Sequence, residues 1–83
     1  MNDFIHVDCP ITRGVLEGRN VPYPVILRAA RFSEACQSED YKSRHLTDCV
    51  FAARQNAIAD MWQALSAGNE TAAVNAMRKF WSV

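Results

Sequence analysis

From Leu46 onward the apolar residues of this chain fall at helical spacing. Leu46, Val50, Ala53, Ala57, Met61 and Ala64 step by three or four, and Ile58, Trp62 and Leu65 widen the stripe. Gly68-Asn69 interrupts it. A second stripe follows through Ala73, Ala76, Met77 and Phe80. The pattern predicts an amphipathic helical hairpin. Gly68 stands where a C′ glycine belongs, and Asn69 is placed to cap the last helix, Glu70 to about Trp81. A two-residue connection makes the two helices antiparallel neighbours.

Upstream the signals are shorter. Phe4-Ile5-His6-Val7 is β-compatible, but no second strand signal accompanies it, and a lone strand must find a partner or stay irregular. Three options stay open: a coil clamped onto helices, a strand paired with its copy in a dimer, or a strand lent to another sheet. Asp8 reads as an N-cap with Pro10 behind it, starting a short helix through Ile11, Val15 and Leu16 that Gly18 ends. Asn20-Val21-Pro22-Tyr23-Pro24 is a stiff corner, because each proline holds its predecessor extended. A second helix is expected from about Pro24 to Cys36, with Val25, Ala29, Phe32 and Cys36 as its stripe. The chain is then expected to turn at Gln37-Ser38. Ser38 would cap a long third helix from Glu39 to Ala67, with Glu39 and Asp40 in its first turn. A kink or break near Ser43 would relieve its length.

Composition narrows the picture. Eighty-three residues allow one domain, 1–83. Such a chain buries only about 60–65% of its unfolded surface, so a partner or a second copy would add stability. Nine Lys and Arg balance nine Asp and Glu, which lacks the global basicity of a strong nucleic-acid binder. The three cysteines, Cys9, Cys36 and Cys49, do not make a disulfide framework. They read as reduced packing residues in a cytoplasmic protein. Met1-Asn2-Asp3 is not basic, and the apolar run after it is broken by His6 and Asp8, so no signal-peptide pattern is read. No apolar run is long enough for a membrane span.

Candidate chemistry is sparse. His6-x-x-Cys9 with His45-x-x-x-Cys49 would supply two imidazoles and two thiolates, a tetrahedral zinc set, but paired CxxC motifs are missing. The more economical reading places the cysteines in packing and the histidines at the surface. Cys9, at a helix start with His6 or His45 as base, is the best-placed nucleophile, yet no oxyanion loop accompanies it. Glu39 and Asp40 are adjacent and diverge on a helix. No glycine-rich phosphate loop, HExxH or EF-hand pattern is present. Arg13, Arg19, Arg28 and Arg31 against Glu17 raise a helix-turn-helix reading. The helix that would enter a groove there is mostly apolar, and the arginines read equally well as a solvated face. No catalytic, cofactor-binding or metal-binding residue is therefore assigned.

Phe51, Trp62, Phe80 and Trp81 are many aromatics for one small core, and the long helix shows two apolar flanks. Either another protein covers the second flank or the N-terminal segment wraps it. The expectation is an all-α helical domain that is not an enzyme. Its function would be binding a larger host protein as inhibitor or accessory regulator, with homodimerisation as a further option. In size and lack of motif the chain resembles, in style, the small accessory proteins of bacteriophages and other mobile elements, which bind and block host enzymes or defence complexes. Tyr23, Arg28, Arg31, Trp62 and Trp81 are the expected contacts, since Tyr, Trp and Arg dominate binding hot spots. A DNA-binding regulator using the Arg13–Arg31 region is the rival reading. A zinc-stabilised or thiol-active protein is the second.

Overall fold

The computed structural model describes Phe4, residues 6–42 and residues 47–82, with the backbone course alone for 40–42. Four helices follow in order: α1 (Pro10–Leu16), α2 (Tyr23–Lys42), α3 (Asp48–Ser66) and α4 (Glu70–Ser82). The all-α class expected from the sequence is what forms, and there is no strand among the described residues. Phe4 to Val7 makes a turn closed by the Val7 N–H donating to the Phe4 carbonyl at 3.0 Å. Ile5 itself lies outside the described residues. The β-compatible composition of this segment finds no ladder partner, so a local bond replaces one.

Two helix ends are built alike. After α1, the Gly18 N–H donates to the Val15 carbonyl and the Arg19 N–H to the Gly14 carbonyl. After α3, the Gly68 N–H reaches Leu65 and the Asn69 N–H reaches Ala64. Both are Schellman turns. Each needs a left-handed C′ residue, and Gly18 (φ 86°) and Gly68 (φ 75°) supply it. The Asn69 carboxamide oxygen accepts from the Ala72 N–H at 3.1 Å, so the expected cap of α4 forms. The hairpin predicted from periodicity is the most extensive helix pair in the fold.

The middle of the chain departs from the sequence reading. α2 does not stop at Cys36. It runs through Gln37-Ser38 to Lys42, because neither residue breaks a helix and Gln37 is needed inside. Gln37 is 3% exposed, and its amide donates to the Phe51 carbonyl (3.3 Å) and to Gln55 Oε1 (3.4 Å) on α3. Ser38 is therefore mid-helix, not a cap, and the single helix expected over Glu39–Ala67 is divided. α3 begins at Asp48. Its cap is Thr47, whose hydroxyl accepts from the Val50 N–H at 3.3 Å, with Asp48 as the acid in the first turn. The expected kink at Ser43, and Leu46 at the head of the stripe, lie outside the described residues. Asp8 is likewise not the cap of α1. Cys9 holds that position with no side-chain hydrogen bond, while Pro10 begins the helix as expected.

The core forms where the four stripes meet. Phe80, Met61 and Met77 provide bulk at 0% exposure. Ala30 and Ala73, also 0%, let helices approach closely. Val15 and Leu16 of α1 and Val7 before it close one end. Full burial of a side chain such as Phe80 contributes about 1.5–3 kcal/mol. The radius of gyration is 12.0 Å, as expected for a compact chain of this length.

Polar bonds tie the helices across this core. Arg78 Nε donates to the Leu16 carbonyl at 2.9 Å, placing a guanidinium at the negative end of α1. The Trp81 indole N–H donates to Ser33 Oγ at 2.9 Å, linking α4 to α2. The Tyr23 hydroxyl donates to the Leu65 carbonyl at 3.3 Å, linking α2 to α3.

Candidate functional site

The aromatic surplus is absorbed within the chain. Phe80 is fully buried. Trp81 packs edge-on to it (5.1 Å between ring centroids) and stacks on Phe32 (6.1 Å). The Arg54 guanidinium lies 5.1 Å from the Phe80 ring centre. The second flank of α3 packs on α2, through the Gln37 bonds and the Trp62 indole N–H donating to Glu34 Oε2 at 3.3 Å. α2 is thus what covers this flank of α3, where the sequence left an outside partner and the N-terminal segment as open alternatives.

The five expected contacts do not form one patch. Tyr23, Arg28 and Arg31 are exposed on α2. Arg28 and Arg31 lie one turn apart on its outward arc, away from buried Ile26 and Ala29. Trp62 is half-buried at the α2–α3 seam. Trp81 is half-buried on the other flank of α2, with its N–H committed to Ser33. Tyr23 is the most exposed aromatic of the set, at 39%. Its ring is held in place by the bond to Leu65.

The arginines are similarly divided. Arg19 pairs with Glu17 at 3.7 Å and lies against α1, where its side chain covers Gly14. Arg28 and Arg31 face outward from α2.

A shallow cavity of about 270 Å³ opens between α1 and the start of α2, lined by Pro10, Ile11, Gly14, Arg19, Val21 and Val25. Ile11 is 43% exposed at its rim. The sequence reading placed Ile11 on the short N-terminal helix and did not single it out as an exposed apolar residue. A second cleft of about 280 Å³ lies between α1 and α4, where Arg19, Arg78, Asn75 and Glu70 surround Val15, Ile26 and Val74. A third, of about 420 Å³, lies between the N-terminal turn, α2 and Trp81.

The metal and thiol readings meet little geometry. His45 lies outside the described residues. Among the described residues no three or more His, Cys, Asp or Glu gather as a metal-binding group. Cys9, Cys36 and Cys49 are not joined in disulfides, and Cys49 is exposed at the start of α3. Burial alone would raise the Cys9 thiol. The Thr12 side chain, the backbone at Thr12 and Ile11, and the charge of Arg13 together outweigh it and hold the thiol below its ordinary value. None of the described helices is long and apolar enough to cross a membrane.

Among the described residues, what fold and site define is a small all-α domain of four helices with shallow clefts at its surface. No protein-family model, curated protein or solved structure matches the chain.

Proposed function

We propose that the protein is a non-enzymatic binding module, an inhibitor or accessory regulator of a larger host protein, and that it docks through the outward side of α2. The carrying observation is Tyr23. Its ring is exposed, yet its hydroxyl bond to Leu65 fixes its position before any partner arrives. Pre-ordering removes part of the entropy cost of association. Arg28 and Arg31, exposed on the same helix, supply the other side-chain type enriched in binding hot spots. Trp62 edges this surface at the α2–α3 seam.

The test is affinity capture from host lysate with the intact chain, repeated with nuclease and at high salt. One protein retained through both treatments, and lost when Tyr23, Arg28 and Arg31 are all replaced by Ala, is the expected result. Capture that vanishes with nuclease or salt overturns the reading in favour of nucleic acid. Capture indifferent to the triple substitution removes the α2 surface.

A further inference from the structure

The cleft between α1 and α4 combines an apolar lining with fixed positive charge. Val15 and Ile26 form its floor, and the half-buried Val21 and Val74 its walls. Val74, Asn75 and Arg78 reach it from one face of α4, where steps of three and four residues align side chains. Arg78 is held in place at one end. Its Nε donates to the Leu16 carbonyl at 2.9 Å and its Nη1 to Asn75 Oδ1 at 3.2 Å. Both acceptors are neutral, so these bonds fix the guanidinium without neutralising it, and Nη2 lies by the Gly18 turn. Arg19 lines the same cleft. Its side chain is 71% exposed, and its contact with Glu17 spans 3.7 Å, longer than the roughly 2.7–2.9 Å of a charge-assisted hydrogen bond.

Glu70 also lines the cleft, but at its other end. It precedes Arg78 on α4 by two turns and more, about 12 Å along the helix axis. The end near Arg78 and Arg19 is therefore positive. A carboxylate on a short apolar stem suits that end: its charge meets guanidinium donors while its methylenes lie on the valines. A phosphodiester would meet the arginines and leave the apolar walls uncovered. An ammonium or guanidinium would meet like charge. The volume of about 280 Å³ lies just below the range of small-molecule sites, about 300–1,000 Å³, and fits one side chain. We propose that this cleft binds a glutamate side chain presented by a partner protein. The proposal rests on the binding-module reading for the nature of the partner, but it uses a second surface that shares no residue with Tyr23, Arg28, Arg31 or Trp62.

The experiment titrates the intact, nitrogen-15-labelled chain with N-acetyl-glutamate amide, whose one free acid is the γ-carboxylate. It reads the Arg78 Nε–H and the backbone amides of Gly18 and Asn75. A saturable shift at these positions is expected. N-acetyl-glutamine amide, neutral and of the same shape, should leave them in place. Arg19→Gln, an exposed substitution that should not disturb folding, should weaken binding about two- to fivefold. Arg78→Gln, read at the backbone amides once circular dichroism shows it folded, should weaken it about tenfold. Glu70→Gln should leave the affinity unchanged or raise it. Absence of a saturable shift with the glutamate amide overturns the proposal. So does an equal response to the glutamine amide, which would remove charge from recognition. An affinity unmoved by Arg19→Gln overturns it as well, and so does weaker binding in Glu70→Gln, which would assign the cleft to a cation. Tighter binding of inorganic phosphate than of the glutamate amide overturns it in favour of a phosphate ligand. Tighter binding of N-acetyl-valine, an α-carboxylate, overturns the side-chain source in favour of a chain terminus. None of these readouts involves Tyr23, Arg28 or Arg31, so failure here is distinct from failure of the α2 surface.

Discussion

Ser33→Ala tests the link between α2 and α4 most directly. Ser33 is 0% exposed. Its hydroxyl donates to the Ala29 carbonyl (2.9 Å) one turn back and accepts from the Trp81 indole N–H (2.9 Å). Losing the first bond matters little, since a mid-helix carbonyl keeps its backbone partner. Losing the second leaves an indole N–H without an acceptor at a half-buried position. An unpaired buried donor costs about 1–3 kcal/mol, and partial access to water confines this case to the lower half of that range. Alanine returns about 0.5 kcal/mol through better helix propensity. The net expectation is a loss of about 0.5–1.5 kcal/mol, against a total stability of roughly 4–12 kcal/mol for a chain of this size. In a domain this small that corresponds to a fall in Tm of roughly 3–10 °C. Urea unfolding followed by circular dichroism measures it. The decisive comparison repeats the substitution in Trp81→Phe, where no indole N–H remains. There Ser33→Ala should be neutral or slightly stabilising, giving a coupling energy of about 0.5–1.5 kcal/mol. An equal cost in both backgrounds would show that the hydroxyl does not act through the indole, and the argument would fall.

Further predictions concern the N-terminal half and the turns. Gly68→Ala should cost about 1–2 kcal/mol, since an added Cβ meets nothing within 4 Å and only the left-handed backbone opposes it. Gly18→Ala should cost more, because its Cβ would also come within 3.3 Å of Arg78 Nη2, and thermal unfolding of both variants ranks them. Thr12→Val removes a fully buried hydroxyl that lies beside the Cys9 thiol. The same variant should raise the Cys9 thiol, because the Thr12 side chain helps hold it down. Alkylation rates resolved by peptide mass spectrometry should then show the Cys9 profile moved to higher pH, with no shift counting against Thr12 as the cause. The sign follows from linkage. A thiol lowered by folding adds stability above its unfolded value, and that increment disappears as pH falls through the folded value.

The sequence by itself determined those parts of the fold that rest on local chemistry. The α3–α4 hairpin was legible because its apolar spacing, Gly68 and Asn69 all act within a few residues of one another. The short α1, with Pro10 at its start and Gly18 at its end, was legible for the same reason. Tertiary structure decided where α2 ends. Gln37 looks like a turn residue in one dimension. It is held in the helix by Phe51 and Gln55, which are distant in sequence. Once α2 is that long, α3 starts later, with Thr47 as its cap and Asp48 in its first turn. The candidate surfaces divide along the same line. Arg28 and Arg31 could be placed away from the apolar stripe from helical spacing alone, whereas Tyr23 was read as part of the corner before the helix and the structure makes it the first residue of α2. The cleft beside Trp81 could not, because His6, Phe32 and Trp81 come from three separate segments and meet only when α4 packs back on α2. Residue type sets what a side chain can do, but burial and cross-helix hydrogen bonds set which side chains remain available to do it.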